Sequence, residues 1–428
     1  MNVPAVLASL IFLVCLILIY TDKINRTIVA LAGAAIMLVV GEVFDFYNLQ
    51  TAIEVIDFET LGLLMSMMIL FAILEPTGLF EYLAVLAARA SRGNPLRLFV
   101  LLGAITAAVS MLLNNVTTVV LIAPVTILIC AILGISAAPY LLAEALFSNI
   151  GGVATLVGDP PNVLIGSAVG LTFNDFILHS LPVAVMACIG GMFVLSFLFR
   201  EELSMKPQNA NSVMGLNPAE SLNQPETARR VLIVLGAAIL LFFFHHLLGI
   251  GPAFVSIVAM SVALMWIRPD MEETLKRVEW NVLLFFGSLF VMVGGLEYAG
   301  VLDIVLGFLE RISHIDPVWF GVIIIWMTAI LSAIVDNIPI TIALIPIIQG
   351  LGETGMNIAP LWWALAFGVG FGGNGTIIGS TAGIIVASLS EKTSTPITPR
   401  LWNQRGLPIM IVTCIIASIL FVLLYRTF

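Results

Sequence analysis

Two stretches of the chain, 222 residues apart, say nearly the same thing. Residues 110–124 read SMLLNNVTTVVLIAP and residues 332–346 read SAIVDNIPITIALIP, with a Ser, an Asn-Asn or Asp-Asn pair and a Pro at matched places. Glu75 and Gly78 map onto Glu297 and Gly300 at the same offset. After a one-residue slip, Pro139, Gly151, Gly152, Thr155 and Gly158 map onto Pro360, Gly372, Gly373, Thr376 and Gly379. A chain written twice folds as two related halves, and chemistry gathers where they meet.

The solvent of those halves follows from composition. Of 428 residues, 60% are hydrophobic and 10% charged, against about 25% charged in soluble domains. Many apolar runs reach the roughly 20 residues that cross a bilayer. The first, residues 3–20, has no basic stretch ahead of it and no small-residue cleavage site, so we read it as a retained helix. Duplicated membrane segments with polar centres mark secondary transporters, whose substrates bind between repeats near the midplane. Cys15, Cys130, Cys188 and Cys414 are scattered, which predicts neither a disulfide framework nor a structural metal. No basic patch favours nucleic acid.

Each half reads as two plain helices, a third, a short arm, a polar-tipped hairpin, a glycine-broken helix and a closing helix. The first repeat, 1–200, has spans near 3–20, 27–43, 59–75 and 176–199, an arm near 79–90, a hairpin at 97–133 and a broken helix at 139–168. Residues 201–227 form a polar linker. The second repeat, 228–428, has spans near 230–248, 251–267, 280–297 and 405–425, an arm near 300–313, a hairpin at 317–351 and a broken helix at 359–389. With the arms lying flat, each half crosses five times and the halves are inverted. Every Lys and Arg except Arg311 and Arg426 then falls on one side, as the positive-inside rule requires. Crossing arms give a weaker bias. The expected fold is therefore all-α: ten transmembrane helices and two re-entrant hairpins in two inverted-topology repeats. Both termini lie outside the cytoplasmic (inner) membrane and the central linker is cytoplasmic.

Unpaired backbone groups cost several kcal/mol each in hydrocarbon, so a helix breaks at mid-depth only where protein or a watery cavity satisfies them. Four breaks are legible: the tips Asn114-Asn115 and Asp336-Asn337, and the glycine-rich runs 148–162 and 372–381. Pro339 stops a continuous helix through the second tip. Taken singly, Gly-Gly pairs serve close packing and an Asn can bridge helices. Four breaks duplicated in register point beyond packing. Half-helix ends there offer free N–H groups to a solute and carbonyls to a cation.

No Lys or Arg occurs between Arg97 and Arg200 or between Arg311 and Lys392, the windows that hold all four breaks, yet Asp159 and Asp336 do. An acid at membrane depth is expensive and by default functional, so Asp336 and Asp159 are the candidates for proton or ion coupling. The plain alternative is that each caps a helix. Glu75, Glu144 and Glu297 are weaker candidates, and His245 and His246 read as interfacial. A base-free chamber disfavours multiply charged anions and suits a neutral polar solute or a cation.

At these residues the chain resembles the ion transporter superfamily, in the branch of ArsB-type arsenite permeases, the P protein and NhaD-type antiporters. The motifs are LLNNVTTVVLIAPVTI, SNIGGVATLVGDPPN, VDNIPITIALIPI and LAFGVGFGGNGTIIGS. The resemblance implies paired re-entrant hairpins, a transport domain moving against a scaffold, and a homodimer, with a cytoplasmic ATPase as a partner to consider. It carries over to Asn114, Asn115, Asn149, Asp336, Asn337 and Asn374 as substrate- or ion-facing positions; with the repeated Thr155 and Thr376 the asparagines are the expected substrate residues, and Asp336 and Asp159 the expected coupling acids, with no metal or catalytic residue and no cofactor beyond a coupling proton or sodium. The first tip departs from the bacterial arsenite pumps, which carry Asn-Asp where this chain has Asn114-Asn115. The leading expectation is export of arsenite or antimonite by proton antiport. The alternatives are sodium/proton antiport, symport of a citrate-like carboxylate, or an anion channel on the same scaffold. No HExxH or GxSxG arrangement favours an enzyme.

Overall fold

The computed structural model describes residues 3–21, 23–207, 209–304, 307, 316–353 and 355–428. The described chain is helical throughout, and nine of its helices are long and apolar enough to cross a membrane. The protein is a multi-pass integral membrane protein. Two of the nine, Asn115–Leu133 and Pro317–Ile334, are arms of the helix pairs read as hairpins. The expected span at 251–267 is the shorter helix Pro252–Ile267. Most of the second arm, with Arg311, lies outside the described residues.

Side-chain caps set several helix starts. Asn25 accepts from Thr27 N at 2.9 Å, Asp57 from Thr60 N at 3.0 Å and Asn94 from Arg97 N at 2.9 Å, each satisfying a donor that the first turn leaves free. Pro339 falls in the first turn of Asn337–Glu353, where a missing N–H costs nothing.

The halves interlock. Arg26–Val43 packs on Trp280–Tyr298, and Pro252–Ile267 packs on Phe58–Leu74, so each repeat lends its second helix to the other's third. A second group forms around the breaks. Pro95–Ser110 packs on Ala138–Gly152 and Pro317–Ile334 on Ala359–Gly372; across the repeats, Asn115–Leu133 meets Thr381–Ser390 and Asn337–Glu353 meets Pro160–Val169. Every residue of Ala138–Gly152 is buried, whereas Val3–Thr21 and Pro225–Leu248 turn Leu10, Ile17, Leu240 and Phe244 outward, as helices do when hydrocarbon is the solvent.

The duplication is exact enough to repeat individual contacts. Ser110 donates to Ser148 O and Ser332 to Val369 O, both at 2.7 Å. A Cβ on Gly151 would run into the Ala107 carbonyl, and one on Gly372 into that of Ala329. Glycine at both places lets the hairpin and the broken helix touch backbone to backbone. The linker closes over the first arm, with Asn223 N donating to Thr77 O at 2.9 Å.

Candidate functional site

The four breaks converge. Asn115 Nδ2 donates to Asn149 Oδ1 at 2.8 Å, and Asn149 Nδ2 donates to Asn374 Oδ1 and Ser380 Oγ, both at 2.9 Å. This amide chain joins the first tip to both broken helices. On the other side, Asn337 Nδ2 of the second tip donates to Asp159 Oδ2 at 3.2 Å. Asn115, Asn149, Asn374, Asp159 and Asn337 are all buried. Two atoms of the network have no partner: the acceptor Asp159 Oδ1 and the donor Asn374 Nδ2. A buried polar atom left unpaired costs about 1–3 kcal/mol, so one acceptor and one donor in the network stand unsatisfied.

The other sequence-predicted residues take different places. Asn114 caps its helix, accepting from Thr117 N at 2.7 Å, and faces a cavity. The hydroxyls of Thr155 and Thr376 donate to the tip carbonyls of Met111 and Ala333, so their protons hold each tip to its broken helix and are not free for a solute. Asp159 stands at the start of Pro160–Val169 but makes no side-chain cap. Asp336 turns elsewhere: Arg26 Nη1 donates to its Oδ2 and also to Thr381 Oγ1 at 2.6 Å, while Thr381 donates to the same carboxylate oxygen at 3.2 Å.

That ion pair corrects the expectation of a chamber free of positive charge. The windows around the breaks lack Lys and Arg, but Arg26 enters from the other helix group, its guanidinium lying 5.4 Å from the Phe285 ring. Sequence missed it because a lone Arg beside Lys23 at a helix start reads as a water-facing residue. Sequence also missed Ser380, although the 221 offset places it opposite Asp159, and Asn162, whose Nδ2 donates to the carbonyls of Gly152, Val153 and Thr155 at 2.8–3.1 Å. Glu279 is a further omission. It accepts from Thr117 Oγ1 at 2.7 Å, and burial pushes its carboxyl above the usual range against that hydrogen bond and the nearby Arg26.

Of the weaker candidates, Glu75 pairs with Arg277 at 2.8 Å and Glu297 is exposed at a helix end. Glu144 is fully buried and accepts from Thr126. His245, read as interfacial, is buried, with Nδ1 2.9 Å from Ile250 O. Among the described residues no cluster of His, Cys, Asp or Glu could hold a metal.

Two cavities lie toward opposite ends of Phe58–Leu74, and the amide network itself lines neither. One, of about 460 Å³, is lined by Arg26, Glu75, Asn114, Thr117, Arg277 and Glu279. The other, of about 270 Å³, is lined by Glu59, Thr60, Ser167, Thr172, His245 and His246. Leu64 and Val157 line the first, and their chain neighbours Leu63 and Leu156 line the second.

Comparison with known proteins adds kinship. The family model described as "Citrate transporter" matches residues 16–368. A "46 kDa membrane protein" of Mycobacterium leprae is 36% identical over 97% of both chains, and an "uncharacterized transporter" of Mycobacterium tuberculosis is 38% identical over 97% of both. The P protein of Homo sapiens is 30% identical over 93% of this chain and 57% of its own length. Among solved structures, the YdaH transporter of Alcanivorax borkumensis superposes with a TM-score of 0.62, covering 100% of this chain and 99% of that one at 13% identity, a likeness of fold alone.

Proposed function

The chain belongs to the citrate transporter family, and from that premise we propose that it is a secondary active transporter that moves a small carboxylate, coupled to a cation held at Asp336 and Asp159. The observation that carries the substrate class is Arg26. A planar guanidinium among the tips is the group that recognises carboxylates with paired hydrogen bonds, and Arg277 stands in the cavity that leads to it. The tips and broken helices supply the unwound backbone and amides that complete such sites. Alternating access is the motion this reading assigns to the two cavities: inverted halves rock or slide so that the buried network opens first to one and then to the other. The linker side is cytoplasmic on the charge bias of the loops.

A second reading, export of arsenite or antimonite by proton antiport, draws on the uncharged chain Asn115–Asn149–Asn374. Amides that donate and accept suit a neutral hydroxylated solute, and arsenous acid is one at neutral pH. Purified protein in proteoliposomes, given citrate, arsenite and sodium separately under imposed proton or sodium gradients, decides between them. Uphill citrate accumulation is expected. Arsenite movement without citrate movement moves the assignment to the second reading; a sodium-dependent pH change alone moves it to antiport. No gradient-driven flux of any of the three overturns the transporter reading.

A further inference from the structure

Arg26 sits where a small cation would sit. Its Nη1 is held by Asp336 Oδ2 and Thr381 Oγ1, oxygens from the second tip and the second broken helix. The arginine belongs to neither element. It starts the helix Arg26–Val43, whose main packing partner is Trp280–Tyr298 in the other helix group. The contact therefore bridges two groups of helices and ties the second tip in place. The groups facing it are Asp336 from the tip, Thr381 from the broken helix, Glu279 from the start of Trp280–Tyr298, and Glu75, already paired with Arg277, across the cavity. Asp159 stands behind the tip, bonded to Asn337. The side chain of Arg26 is a quarter exposed and lines the 460 Å³ cavity, so it has space to leave along a path on which Glu279 offers a second acid.

We propose that Arg26 is a tethered counter-cation: it occupies the coupling-cation position at Asp336, and a sodium ion or proton binding there displaces it, freeing its guanidinium for the transported anion. Charge is conserved at each stage. The Arg26–Asp336 pair is neutral; Asp336 with its incoming cation is neutral, and the freed guanidinium is matched by the solute's carboxylate. An anion thus finds its receptor only after the cation has bound, and a cation that binds without the anion leaves Arg26 with only Glu279 to face. This ordering would couple the two fluxes without direct contact between them. It rests on the transporter reading above and specifies how the same site is controlled.

The test is R26Q, with R26K and D336N beside it, read in two ways. In detergent, the thermal midpoint of each protein is followed against sodium concentration at fixed pH and against pH without sodium. These two arms identify the cation. If the guanidinium holds the position about nine-tenths of the time, removing it raises apparent cation affinity about tenfold. R26Q is therefore expected to respond to about tenfold less sodium, or at a pH about one unit higher, than the wild type. R26K, whose side chain ends one bond short of the Nη1 that meets both oxygens, holds the position less well and falls between. D336N loses the response. In proteoliposomes, R26Q should pass the cation without the solute. An R26Q midpoint equal to that of the wild type in both arms overturns the proposal; should R26Q not fold, an R26K midpoint equal to the wild type overturns it equally. If neither arm shows a response in the wild type, Asp336 holds no exchangeable cation and the proposal also falls. If no solute is transported yet the R26Q shift appears, the function reading fails while the counter-cation stands. If the solute accumulates and the shift is missing, the counter-cation alone fails.

Discussion

The two tips are built alike and charged differently. Each is fastened by a serine at matched positions, Ser110 to Ser148 O and Ser332 to Val369 O, and by a threonine, Thr155 to Met111 O and Thr376 to Ala333 O. Each rests on a glycine against the backbone of a neighbouring helix. Beyond that frame they diverge. The first tip is neutral, Asn114-Asn115, and its helix faces an acid, Thr117 donating to Glu279. The second carries Asp336 and faces a base, Arg26. Duplication preserved the contacts that fasten each tip, while the side chains at the tips diverged. The first tip offers amides and the second offers charge.

That comparison breaks most visibly at Asp336. In D336N, Arg26 loses the anion that faces it, and removing one partner of a buried pair costs about 3 kcal/mol or more. Gradient-driven accumulation in proteoliposomes is expected to fall on the order of 100-fold, while counterflow exchange without a gradient survives. Full gradient-driven uptake by this variant would show that the charged tip does not couple.

The shared frame is tested by paired substitutions. Gly151→Ala and Gly372→Ala should each destabilise the protein by about 1–3 kcal/mol through forced overpacking, seen as lower thermal midpoints of similar size. A large penalty in one half and none in the other would mean that the halves are not equivalent supports. Smaller again, Ser110→Ala and Ser332→Ala each remove one buried hydrogen bond worth about 1 kcal/mol. Their midpoints should drop together, with transport affected less than by D336N.

The smallest effect belongs to the acid that faces the neutral tip. Burial raises the Glu279 carboxyl above its unfolded value. Its contribution to stability is therefore full below the ordinary glutamate range near pH 4 and is lost as pH rises through the raised value. Over that window the wild-type midpoint should decline by a few degrees more than that of Glu279→Gln. Parallel curves would show that Glu279 is no better solvated unfolded than folded.

Much of this was written in the sequence, for a physical reason. Asn, Asp, Gly and Pro inside apolar runs are conspicuous because hydrocarbon punishes them, so both tips and both broken helices were visible, and their matched spacing gave the repeat. The convergence of Asn115, Asn149, Asn374, Asp159 and Asn337 followed from that spacing. Arg26 was hidden because its partner lies 310 residues away, and nothing at a helix start distinguishes an arginine that meets water from one that meets an acid. The threonines misled in the opposite sense. Thr155 and Thr376 recur in both halves because they fasten the frame, and recurrence marks support as readily as chemistry.

The placing of two cavities toward opposite ends of one helix has an electrical consequence. Where recesses lined by charged and polar groups lie toward both ends of Phe58–Leu74, a transmembrane voltage concentrates on the apolar stretch between them. Net charge carried across that stretch is driven by about 2.3 kcal/mol per elementary charge for each 100 mV.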